Sequence, residues 1–128
     1  MYKISRNQEY LLVKFTDDFN FPVIQSAIRQ ETAMREYANT NDIWLIGNNH
    51  ARIRLGELEM MISEFQYCCT HDATRTKTAV VVEAGLTGAV MELVVSGLKK
   101  RVDFGVEIFR TLDEAKDWLG VTESRTAV

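Results

Sequence analysis

The chain has 128 residues, 46% of them hydrophobic and 26% charged, which suits one globular domain around a single core. Its 15 basic residues against 18 acidic ones give a net charge of −3, which excludes the global attraction to nucleic acid or anionic membrane that a basic chain carries. No apolar run approaches the ~20 residues that span a bilayer, and residues 1–15 hold no apolar signal core, so a cytoplasmic protein without stable membrane insertion is expected.

Residues 1–6 and 10–16 read as two short strands joined through Asn7, Gln8 and Glu9, an opening hairpin. Asp17, Asp18, Phe19 and Asn20 form a turn, and Pro22 then suits the first turn of a helix over 22–38. Val23, Ile24, Ala27, Ile28, Met34 and Ala38 fall on one face of that helix. The pair Asn41-Asp42 precedes a buried strand over 43–46, which Gly47, Asn48 and Asn49 end. A second helix is predicted over 54–67, with Leu55, Leu58, Met61, Ile62, Phe65 and Cys69 as its stripe and Glu57, Glu59 and Glu64 on its wet face.

Residues 78–82 form a continuous apolar strand of the kind found in a sheet interior. The helix over 86–100 has a wide apolar arc (Ala89, Val90, Met91, Leu93, Val94, Val95, Leu98), which predicts burial on more than one side. Lys99, Lys100 and Arg101 close it where cations suit the helix dipole. Val102, Phe104, Val106 and Ile108 alternate along a last strand over 102–109. Thr111 and Glu114 have capping-box spacing, and Leu112, Ala115, Trp118 and Leu119 share a face of the helix that Gly120 stops. Met34, Met60, Met61 and Met91 are assigned to the core, and Trp118, Leu119, Ile108, Val80 and Val82 are expected to share one core. The order β-β-α-β-α-β-α-β-α predicts an α/β fold: a five-stranded mixed, mostly parallel sheet with four helices, a single domain over 1–120 and a loose tail over 121–128.

Ligands of an open α/β sheet bind outside the carboxyl ends of the parallel strands. Here those ends carry Asp17, Asp18, Asn20, Gly47, Asn48, Asn49, His50, Glu83, Gly85, Thr87, Gly88, Arg110 and Thr111. Turn residues collect at strand ends in any such fold, so the rim is a place for chemistry and no proof of it. The turn at Gly85 offers helix amides to an anion, yet it lacks both the phosphate-loop and dinucleotide motifs; a plain turn with Thr87 as cap accounts for it. His50, near Asn49, Arg52 and Arg54, has only Thr40 as a neighbouring hydroxyl, a thin basis for a general base. Cys68, Cys69 and His71 do not have zinc-ligand spacing, and both cysteines are expected to be reduced thiols. No catalytic residue, metal or cofactor is assigned.

The run from Val102 to Gly120, VDFGVEIFRTLDEAKDWLG, together with the AVVVEAG strand and turn, resembles the SpoIIAA-like (STAS-type) domain family, whose last helix reads F-[RK]-x-x-x-E-A-x-x-W-L. The resemblance covers residues 1–120 and is most specific over 78–120; the first half matches in element order and in its Phe21-Pro22 helix start. It implies the same fold and a regulatory protein partner docked on the loop and helix after the third strand. The family's phosphorylated serine lies in a D-S-[ST]-G-L-type motif at that helix. Residues 48–58 of this chain, NNHARIRLGEL, align Gly56 with the motif glycine but contain no Ser or Thr, so the phosphoswitch is not carried over. Kinship of the branch with the CRAL-TRIO lipid-binding fold implies a second role, a small apolar ligand between helices and sheet.

Three functions follow in order. The first is a non-enzymatic module that docks a protein partner through Asn48, Asn49, His50, Arg52 and Gly56 and the second helix, with Gly85 and Thr87 nearby on the rim. The second is a carrier or sensor of a small apolar ligand. The third is an enzyme using His50 with Asp17 or Asp18. A two-fold homodimer is left open.

Overall fold

A computed structural model describes residues 2–7, 9–16, 19–35, 37–47, 51–68, 76–83 and 85–121. Among these residues seven strands and four helices follow in the order β1 (Tyr2–Arg6), β2 (Tyr10–Phe15), β3 (Phe19–Asn20), α1 (Phe21–Thr32), β4 (Asn41–Ile46), β5 (Ala51–Arg52), α2 (Leu55–Cys68), β6 (Lys77–Val82), α3 (Leu86–Lys99), β7 (Gly105–Phe109) and α4 (Leu112–Leu119). A short 3-10 turn, Tyr37–Asn39, stands between α1 and β4. Five strands form the expected mixed sheet in the order β1-β2-β4-β6-β7, with β1 antiparallel to β2 and every other pairing parallel. The two-residue strands β3 and β5 pair with each other in parallel, Phe19 opposite Ala51 and Asn20 opposite Arg52.

Strand alternation sends side chains to two faces, and each face has its own core. On one face Val13, Phe15, Trp44, Ile46, Val80, Val82 and Val106 meet Ile24 and Ile28 of α1, Met61, Ile62 and Phe65 of α2, and Met91, Val94, Val95 and Leu98 of α3. Aromatic rings run through this core: Phe19 edge-on to Phe15 at 5.0 Å, Phe15 to Trp44 at 5.3 Å, Trp44 to Phe65 at 5.0 Å. Such pairs add about 0.5–1.5 kcal/mol each beyond their area. On the other face Tyr10, Ile43, Ala79 and Val81 are covered by Ala115 of α4 and by Val121, with Trp118 and Leu119 packed at the margin. The expected single cluster is therefore divided. Val80, Val82 and Ile108 belong to the three-helix face, Trp118 and Leu119 to the other, because residues 80 and 82 point away from the face that α4 covers.

Helix ends follow local chemistry. The Asn20 side chain accepts from the Val23 amide at 3.0 Å and caps α1, with proline in the first turn. The predicted capping box is present: Thr111 accepts from the Glu114 amide at 3.2 Å and Glu114 accepts from the Thr111 amide at 3.2 Å. Gly120 takes a left-handed φ of 77°, and the Val121 amide returns to the Lys116 carbonyl at 2.9 Å, a glycine stop. Val121, expected to begin the tail, is thereby buried. The remainder of the predicted tail, like Asp17, Asp18, Cys69 and His71, lies outside the described residues.

Several boundaries differ from expectation. α1 stops at Thr32 rather than residue 38: the Thr32 hydroxyl donates back to the Ile28 carbonyl at 2.8 Å, and the chain turns to bury Tyr37. Met34 and Ala38 are therefore not on that helix. β7 begins at Gly105, and Phe104 ahead of it sinks into the three-helix core. Lys99 and Arg101 do more than face a dipole: they pair with Glu107 at 2.9 Å and Glu59 at 2.6 Å. The arc of α3 is also narrower than predicted, because Ala89 and Leu93 are exposed. Among the described residues no helix is long and apolar enough to cross a membrane.

Candidate functional site

The carboxyl-end rim divides into two parts. At β6 and β7 it is filled by Arg110, which donates to the Val82 and Glu83 carbonyls at 3.3 and 3.4 Å and pairs with Glu92. Gly88 lets it lie there, since a Cβ at that position would stand 2.5 Å from the Glu83 carbonyl oxygen and 2.8 Å from the guanidinium. Gly85 is the cap position of α3, at a φ of 123° that L side chains avoid, and no side chain caps the helix. Thr87, expected as the cap, lies inside the first turn instead, because the helix begins at Leu86 and its cap position falls on Gly85, two residues earlier.

The other part of the rim leads into α1 and α2. The β3–β5 pairing ties the entries of these helices together, since β3 runs straight into α1 and β5 precedes α2 by two residues. Glu57 accepts from the Arg54 amide at 2.9 Å and holds the first turn of α2, an acid where the dipole favours one. Of the predicted partner-binding residues, Asn48, Asn49 and His50 lie outside the described residues. Arg52 is exposed on β5, and Gly56 is exposed at the start of α2, with open space where a Cβ would be. Gly85 and Thr87 belong to the α3 turn instead.

Between α1 and α2 runs an open groove of about 830 Å³, lined by Phe21 and Gln25 on one side and Glu59, Met60, Ser63, Glu64, Gln66 and Tyr67 on the other. Arg29 bridges the two helices, its Nε 2.9 Å from Glu64. Tyr67 is 87% exposed, Leu55 83% and Met60 52%. Leu55 and Met60 were both expected inside. Met60 faces out because successive helical residues are ~100° apart, so Met61, which is buried, takes the inward place. Leu55 is the first residue of the helix, at the rim, and is exposed.

The groove offers amides, one aliphatic hydroxyl and carboxylates beside Phe21, Met60 and Tyr67, and no histidine stands among the described residues. Cys68, at the end of α2, is half-buried and donates weakly to Glu64 at 3.7 Å; burial first, then the Glu64 charge, push its thiol up, so it is a poor nucleophile. Among the described residues no three Cys, Asp, Glu or His side chains converge as a metal ion requires.

A second polar cluster lies in the core and was not singled out in the sequence. Glu31 of α1 and Asp42 of β4 are each 1% exposed, and Thr78 of β6 is buried beside them. The Trp44 indole donates to Glu31 Oε1 at 3.1 Å, and the Thr78 hydroxyl donates to Asp42 Oδ1 at 2.5 Å. Among the described residues no donor reaches Glu31 Oε2. Burial, then the neighbouring Asp42 charge and hydrogen bonding with Asp42, hold Glu31 well above the usual carboxyl range; the Trp44 bond opposes them. The signal was present: Glu31 continues the spacing of Ile24, Ala27 and Ile28 and so falls on the apolar face. Next to Asp42 and Thr78, between the sheet and α3, is a cavity of about 10 Å³, near the least that holds one water.

Comparison with known proteins finds no matching family model, no matching curated protein and no matching solved structure.

Proposed function

We propose that this chain is a non-enzymatic regulatory module of the SpoIIAA-like (STAS) type that docks a protein partner on α2 and the groove beside it, without a serine phosphoswitch. The observation that carries the reading is the display of Met60 and Tyr67 on one face of α2, lining an open groove. Large apolar side chains grouped on an exposed face mark interaction sites, and a groove between helices takes a partner helix. Burying these two side chains gives roughly 3–6 kcal/mol gross, before the cost of association, a scale suited to transient rather than permanent binding. The position agrees with the family resemblance, which assigns docking to the helix starting near Gly56. The carrier alternative has less support, since the cavity beneath α3 has room for about one water.

The test is site-specific photocrosslinking in the native host, with a photoreactive residue at Tyr67 and, as control, at Lys14, exposed on β2. A discrete adduct with one protein at position 67, absent at 14 and lost with Met60→Glu, is expected. Tyr67→Ser should leave stability within about 0.5 kcal/mol, as for other exposed positions. Equal adducts at both positions, or an apolar molecule co-purifying in native mass spectrometry with no adduct, would refute docking.

A further inference from the structure

We propose that Glu31 and Asp42 hold a single proton between them and form a pH-sensitive latch that fastens the end of α1 to the sheet at neutral pH and lets go at alkaline pH. Two carboxyl groups, each 1% exposed, face one another across the α1–sheet interface. If both were ionised, the core would contain two like charges close together, with Trp44 donating to Glu31 and Thr78 donating to Asp42. One proton resolves this. Placed on Glu31 Oε2, the oxygen with no donor, it turns that oxygen into a donor toward Asp42, while Oε1 keeps the indole and Asp42 Oδ1 keeps the Thr78 hydroxyl.

Among the described residues no cation acts on Glu31. On α1 itself, Arg29 is engaged with Glu64, and Arg35, beyond the helix end, is exposed. α2 presents Glu64 and the protonated Cys68; the 3-10 turn packed against α1 brings Tyr37, and β6 brings the uncharged Thr78. Among the described residues Asp42 is the one charge that acts on Glu31, and it is of the same sign.

The sign of the pH dependence follows. Glu31 binds its proton more tightly in the folded chain than in the unfolded one, whose value is the ordinary 4.5. Its contribution to stability is whole below that value, declines as the pH climbs, and is gone once Glu31 ionises in the folded chain. The proton then leaves to solvent, and water entering the small cavity beside Asp42 or retreat of the last turn of α1 relieves the repulsion. α1 also supplies Phe21 and Gln25 to the groove, so release would reshape it; that consequence rests on the docking reading, and the latch does not.

The isolated full chain suffices for the test. Glu31→Gln replaces the shared proton by an amide that donates to Asp42 and still accepts from Trp44. Asp42→Asn donates to Glu31 and still accepts from Thr78. Infrared spectra of the native chain at neutral pH should contain a protonated-carboxyl stretch that Glu31→Gln removes. Across about pH 5 to about pH 9 the urea midpoint of the native chain should fall relative to that of Glu31→Gln, the gap widening with pH. Asp42→Asn should remove the same fall, and it decides the matter if Glu31→Gln does not fold. Absence of the carboxyl band, or a gap between native and variant midpoints that stays constant with pH, would overturn the latch. Neither readout involves a partner, so its failure is distinct from failure of docking.

Discussion

Gly97 of α3 faces α2 at close range, and a double-mutant cycle there tests the packing of the helical layer. A Cβ added at Gly97 would stand 2.5 Å from Ile62 Cδ1, 3.4 Å from Cγ1 and 3.9 Å from Cγ2. Gly97→Ala therefore carries two opposed effects. Relieving glycine inside a helix stabilises by about 0.8–1 kcal/mol, while forcing a methyl into a filled contact costs about 1–3 kcal/mol. The clash is with the far end of a side chain, so the lower half of that cost applies, and the net effect in the native background is a loss of about 0–1 kcal/mol. Ile62→Val alone should cost about 0.5–1.5 kcal/mol. It removes Cδ1 and leaves the other two atoms at ordinary contact distances. Adding Gly97→Ala to Ile62→Val should then stabilise by up to about 1 kcal/mol, so the same substitution reverses sign between backgrounds. Urea unfolding of the four proteins, with m-values compared to exclude denatured-state effects, reads the cycle. Additive single effects, or a Gly97→Ala gain equal in both backgrounds, would refute the close approach of Gly97 to Ile62.

Two further predictions concern α4. Thr111→Ala removes one half of the capping box and should cost about 1 kcal/mol by urea unfolding, with faster amide exchange confined to the first turn of α4; protection lost uniformly across the sheet would contradict a local cap. Trp118 is half-buried, meets Phe109 in a tilted ring contact at 5.5 Å and lies under the Lys77 ammonium at 5.0 Å. Trp118→Ala should therefore cost about 3 kcal/mol, the low end for an indole, with Trp118→Phe recovering more than half; an unchanged thermal midpoint in the alanine variant would sink the placement of α4.

What could be read in the sequence was whatever is encoded locally. The hairpin, the capping box, the Pro22 helix start and the apolar run of β6 each rest on a few adjacent residues, and each is found where expected. Tertiary competition decided the rest. α1 loses its last turn because burying Tyr37 and bonding Thr32 back to Ile28 outweigh further helix. β3 and β5, two residues each, are too short to show any period, yet they bring α1 and α2 together and so create the groove. At the candidate site, the exposure of Met60 was implied by Met61 next to it, whereas that of Leu55 depends on where the helical layer ends. The carboxyl pair needed three elements to be positioned at once: Asp42, which looked like a turn residue, is the second residue of β4 and meets Thr78 of β6 and Glu31 of α1.

The unequal covering of the two sheet faces bears on how the chain is made. One face is closed by three helices that lie between the strands in the sequence, so its core assembles as synthesis proceeds. The other depends on α4 and Val121, which come after every strand. Until α4 emerges, Ile43, Ala79 and Val81 of the earlier strands β4 and β6 have no helix over them, an apolar β surface of the sort that recruits neighbouring nascent chains. The strong cap at Thr111 and Glu114 then gains a kinetic meaning: it lets a helix of only eight residues nucleate soon after it emerges and shortens that interval.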